Sequence, residues 1–164
     1  MSLLGQFVLY VLAQVVFLNG IDYLHLFSPY LFILFVLTLP TEMGRVSQML
    51  WAFAIGLVVD IFSNTTGIHA GACVFIAYIR PAVCRLFASS ESSAQTPSFR
   101  SYGVLRFMQY AAILVLTHHF VFYMLENMSM NHLDDVILRT VCSSLLTLLL
   151  IASVEYFKYR HSNS

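Results

Sequence analysis

Charge is what this sequence has least of. Asp, Glu, Lys and Arg make up 10% of its 164 residues, where a soluble domain carries about 25%. Apolar residues make up 59%, against about 45–50% in soluble proteins. So little charge cannot coat a water-soluble core, and the composition describes a small integral membrane protein with little mass outside the bilayer. Acids and bases balance to a net charge of zero, which removes the electrostatic ground for a nucleic-acid partner.

Chemical motifs are scarce as well. The three cysteines, Cys73, Cys84 and Cys142, lie apart in apolar runs and form no CxxC pair. They read as small packing residues, not as a disulfide framework or zinc site. There is no GxSxG, HExxH or Walker loop, no voltage-sensor charge series and no acidic ring of a cation pore. The expectation is a protein that is not an enzyme and has no cofactor or metal. The start, "MSLLGQFVLYVLAQVVFLNG", has neither a basic n-region nor an A-x-A site and reads as a retained span.

Long apolar runs are what is present. Five lie at about Leu3–Asn19, Val46–Phe62, Ile68–Phe87, Val104–Leu125 and Val136–Tyr156. Each reaches the roughly 17–22 residues that cross a hydrocarbon core. A sixth, "PYLFILFVLTLP", is bracketed by Pro29 and Pro40, and its interior would rise only about 15 Å as a helix. It either recruits Leu24–Ser28 to span or dips in and is completed by its neighbours. The expected fold is an all-α integral membrane protein: a compact bundle of six transmembrane helices, the second short and either spanning or half-spanning. Residues 1–164 form one transmembrane domain, with a Ser-rich connector at 88–102 and a short basic tail at 157–164.

Charge placement orients the bundle. With six spans, Arg45, Arg80, Arg85, Arg100, Arg106, Lys158 and Arg160 share one side. Asp22, Glu126, Asp134 and Asp135 take the other, with Arg139 as its base. The positive-inside rule then places the C-terminus and the 88–102 connector in the cytoplasm. The N-terminus joins them if Pro29–Pro40 spans. Arg80 and Pro81 are expected to end or kink the fourth span near the cytoplasmic face, and "IRPAVCRLF" reads as a basic anchor or as a helix continuing past the kink along the interface.

Polar side chains inside spans mark where helices meet. Gln6, Tyr10 and Gln14 are four apart and form one stripe of the first span, with Asn19 near its end. Thr140, Ser143, Ser144 and Thr147 form one face of the last span, opposite a run of leucines. Small hydroxyl residues allow close helix approach, so both stripes read as bundle contacts or as surfaces for a partner helix. His118 and His119 point about 100° apart on a helix and make poor joint metal ligands. One is expected to face the bundle and the other to be half-buried.

The stretch "GLVVDIFSNTTGIHAG" combines these features. "SNTTG" is a strong turn, so Asp60 and His69 meet across a hairpin at similar depth. Gly56, Gly67, Ala70, Gly71 and Ala77 supply small surfaces for helix closure. Asp60, Gly67 and His69 can form a structural lock, or the pair can be a recognition or ligand site. A metal or catalytic dyad would lack the third ligand a catalytic zinc site wants.

Gly56, Leu57, Asp60, Gly67, His69 and Ala70 resemble the signature of the bacterial rod shape-determining protein MreD family: an apolar helix ending G-L-x-x-D, a polar turn, then G-x-H-A. The resemblance extends to the Pro-bracketed segment, to Ile79–Arg80–Pro81, to His118–His119–Phe120, and to Glu126, Arg139 and Glu155. The position after Ser63, often glycine in that family, is Asn64. Membership would imply a non-enzymatic scaffold of the cell-elongation complex in the bacterial inner membrane, needed for rod shape and lateral peptidoglycan synthesis. It would bind the scaffold MreC and work with MreB, RodA and a class B penicillin-binding protein. The family also resembles the six-helix substrate-binding subunits of energy-coupling-factor transporters. The alternative is therefore a membrane subunit binding a small molecule or lipid-linked precursor. Asp60, His69, His118, His119 and Glu126 would line its outward polar pocket, and a closed, filled centre would exclude it.

Overall fold

A computed structural model describes residues 2–18, 28–87, 96–127 and 133–161. Among these the secondary structure is helical throughout. Helix α1 is Leu3–Ala13, started by Ser2, whose hydroxyl accepts from the Gly5 amide at 3.2 Å. It continues as a π-helical turn, Gln14–Leu18. Helix α2 is only Ile33–Leu37; α3 is Arg45–Ser63, α4 Ile68–Phe87, α5 Phe99–Tyr102, α6 Val104–Asn127 and α7 Leu133–His161. By length and hydropathy α3, α4, α6 and α7 can each cross a membrane, while Leu3–Leu18 is shorter.

The short Pro-bracketed segment is the centre of the protein. Phe32 through Leu37, and Leu39, have no exposed surface. Non-helical backbone is tolerated at membrane depth only where protein encloses it, and here every long helix helps to do so. Apolar ridges face outward instead. On α3 these are Val46, Leu50, Phe53, Leu57 and Ile61; on α7 they include Leu138, Val141, Leu145 and Leu149. Spacings of three and four residues put each set on one stripe, as expected of a lipid-facing side.

Helices α3 and α4 make the closest pairing. A Cβ on Gly56 would lie 2.6 Å from the Ala70 Cα and 2.8 Å from the His69 carbonyl oxygen. Only hydrogen fits there, so the helices touch backbone to backbone. Their turn places Asn64 at φ 54° and Gly67 at φ 83°. Glycine and asparagine are the residues that adopt this left-handed conformation readily, so Asn64 closes the turn without a glycine at its position.

Helix α4 runs through Pro81 to Phe87, the continuing-helix alternative. At the end of the connector Ser98 caps α5, and Phe99 and Tyr102 are buried. The first part of the basic tail is helical, through His161. Readings that fall on Asn19, Asp22, residues 24–27, 88–95 and 162–164 lie outside the described residues.

Candidate functional site

Enclosing a short helix leaves its backbone groups in need of partners, and the polar stripes provide them. Gln14, at the π turn, uses both ends of its amide. Nε2 donates to the Pro29 carbonyl at 3.1 Å, and Oε1 accepts from the Leu31 amide at 2.8 Å. From α7, the Thr147 hydroxyl accepts from the Tyr30 amide at 3.1 Å, and Ser143 accepts from the Ser28 amide at 3.2 Å. Ser143 also pairs with the Tyr123 hydroxyl at 2.7 Å.

The other end of the segment is held by Arg80. Only 1% of it is exposed, so it is not a surface anchor as the sequence led us to expect. Its guanidinium donates to the carbonyls of Leu37 and Leu39, to the Tyr110 hydroxyl at 3.0 Å and to Gln48 Oε1 at 2.7 Å. Tyr110 donates to Leu37 O at 2.8 Å, and Gln48 Nε2 donates to Met43 O at 2.7 Å. A buried charge costs a great deal unless hydrogen-bonded. Here carbonyl dipoles and neutral side chains take that role, and the rigid fork of arginine reaches several at once.

Of the two readings of the stripes, bundle contact or partner surface, most positions make bundle contacts. Tyr10, Gln14, Thr140, Ser143, Ser144 and Thr147 are buried and turned inward. Tyr10 accepts from Lys158 Nζ at 2.7 Å, and Lys158 reaches Glu155 at 2.9 Å. Gln6 alone keeps partial exposure, in a cavity of about 230 Å³ shared with Thr38, Arg100 and Glu155.

The hairpin forms a tight cluster. Asp60 Oδ1 accepts from the His69 amide at 3.1 Å, from His69 Nδ1 at 3.0 Å and from the Thr65 hydroxyl; Oδ2 accepts from the Ala70 amide at 2.9 Å. A carboxylate ties the end of α3 to the first turn of α4, where positive helix-end dipoles and free N–H groups favour an anion. Asp60 and His69 are each 2% exposed. The imidazole packs against Phe122 and Tyr30, with centroids 4.5 and 4.9 Å away.

The two adjacent histidines are both fully buried, so the half-buried expectation fails for the second. His119 Nδ1 donates to Val115 O at 2.9 Å, leaving Nε2 to face Thr147 at 3.4 Å. His118 Nε2 lies 3.7 Å from Cys73 Sγ. Neither lines the outward cavity. That cavity, about 290 Å³, is bounded by Gln14, Ser28, Tyr30, Phe62, Ser63, Thr65, His69, Phe122 and Glu126, among others. Among the described residues no cluster of His, Cys, Asp or Glu is placed to hold a metal.

Comparison with protein-family models, with curated proteins and with solved structures finds no match.

Proposed function

We propose that this chain is a non-enzymatic membrane scaffold of the MreD type, acting in bacterial cell elongation at the inner membrane. One observation carries the reading. Five of the six signature residues, all but the outward Leu57, meet in a single lock: Gly56 lies against Ala70, Gly67 turns the chain, and Asp60 binds His69 and Ala70. A signature used to fix the shape of a helix pair suits a protein that presents a rigid surface. The filled centre around α2 is consistent with this and speaks against a transport path through the middle.

Six crossings follow from the same reading, as in energy-coupling-factor binding subunits. Ser28 lines the cavity near the α3–α4 turn, and Thr38 lines the one near Glu155. We take 28–39 as a second crossing sheathed by protein. A partner helix, that of MreC in this reading, must then use the outward apolar ridges, because all of the polar stripe residues but Gln6 are buried inside.

The test is co-purification from bacterial membranes in mild detergent, with photo-crosslinkers at Leu57, Leu145 and, as a buried control, Leu114. Recovery of elongation-complex members crosslinked at an outward position and not at Leu114 is the expected result. A chain that recovers none of them, and whose deletion leaves rod shape intact, is not this scaffold.

A further inference from the structure

The 290 Å³ cavity beside the hairpin has a chemistry that neither the lock nor the scaffold uses. His69 forms part of its wall with Nδ1 committed to Asp60 at 3.0 Å. In the neutral tautomer this selects, Nδ1 carries the proton and Nε2 is a bare acceptor. That nitrogen is buried and has no hydrogen-bond partner, and buried polar atoms in folded proteins rarely lack one. Glu126 brings an exposed carboxylate to the same cavity, and no lysine or arginine is among the described residues that line it. The rings of Tyr30, Phe62 and Phe122 complete the wall.

Acceptors, one negative charge and three aromatic faces select against an anion and for a cation with N–H bonds to give. We propose that this cavity binds a primary ammonium group, which donates to His69 Nε2 and the Glu126 carboxylate. Two sources carry that chemistry. The cavity is bounded by Ser63 and Thr65, at the end of α3 and in the turn to α4, the depth of lipid headgroups. A phosphatidylethanolamine headgroup can reach it from the bilayer, and a small free amine from water. The site is independent of the scaffold reading, since lipid or amine binding is scored on the purified chain with no partner present.

The experiment uses the full chain in detergent. Native mass spectrometry scores retention from an equimolar mixture of phosphatidylethanolamine, phosphatidylcholine and phosphatidylglycerol. Thermal unfolding is followed in parallel with added ethanolamine. A lipid source gives about tenfold preference for phosphatidylethanolamine over both others, the discrimination expected of one charge-assisted contact. A free-amine source gives stabilisation by millimolar ethanolamine without lipid preference. Glu126→Gln, at an exposed position that leaves the lock intact, should reduce either effect about tenfold, and Glu126→Lys should turn any lipid preference toward phosphatidylglycerol. Equal retention of the three lipids together with no effect of ethanolamine overturns the proposal. So does retention of phosphatidylcholine equal to that of phosphatidylethanolamine with both above phosphatidylglycerol, because a quaternary ammonium has no N–H to donate.

Discussion

Asp60 accepts four hydrogen bonds, and each comes from a group that can only lose by its replacement. An asparagine there keeps one oxygen and turns an NH₂ toward a backbone N–H. Leaving such groups unpaired costs about 1–3 kcal/mol each, so Asp60→Asn should lower the amount of folded protein, and His69→Ala should do the same. Size-exclusion of tagged protein from solubilised membranes checks this. Normal accumulation of either variant with loss of cell-shape function would move the pair from structure to recognition. Gly56 makes a sharper case, because the atoms a methyl would strike are backbone. Overpacking of this kind costs about 1–3 kcal/mol. Gly56→Ala should therefore lower the midpoint of thermal unfolding in detergent. An unchanged midpoint would mean that α3 and α4 are not in backbone contact.

The segment around α2 depends on Arg80 as a fork, not as a charge. Lysine keeps the charge but cannot reach Leu37 O, Leu39 O and Gln48 together, so Arg80→Lys should fail nearly as badly as Arg80→Met, by about 3 kcal/mol or more. A cysteine at Leu34, unreactive to maleimide in an otherwise cysteine-free protein, should become reactive in both variants. Full protection in the lysine variant would show that charge alone holds the segment. The same segment explains what could and could not be read from sequence. Four of the five long runs were legible as helices long enough to cross, because hydropathy follows the apolar face each turns outward, while the first falls short at Leu3–Leu18. Their ends were less so: α7 continues to His161, with Lys158 bound to Tyr10 and Glu155 and Arg160 exposed. The stripes Gln6–Tyr10–Gln14 and Thr140–Thr147 were legible as faces. What they bind was not, since an unsatisfied carbonyl or amide of a short enclosed helix is the same in every residue and leaves no letter to read. Arg80 was misplaced for that reason. Two of its four partners are backbone oxygens.

The two ends of the bundle differ in charge, and that difference meets the path of the chain. Gln6, Thr38 and Glu155 gather at one cavity, and Gln14, Ser28, Ser63 and Glu126 at the other. The Arg- and Lys-rich flanks of α3, α4 and α7 lie toward the first. If positive charge stays inside, the C-terminus is cytoplasmic and the α3–α4 turn is outside, and the N-terminus is cytoplasmic too where 28–39 crosses. The N-terminus is the decisive point. Four or five crossings and six give different sides for residue 2 at a fixed C-terminus only if the odd number holds, so a C-terminal reporter must be read with it. A fluorescent protein fused after His161 should be bright, and alkaline phosphatase at the same place inactive. Ser2→Cys, with the three native cysteines replaced, should resist a membrane-impermeant maleimide in intact spheroplasts and react after permeabilisation. Labelling of Ser2→Cys from outside, with the C-terminus inside, would leave an odd number of crossings. The segment 28–39 would then enter and return on the same side, and Arg80 would hold a re-entrant loop instead of a sheathed span.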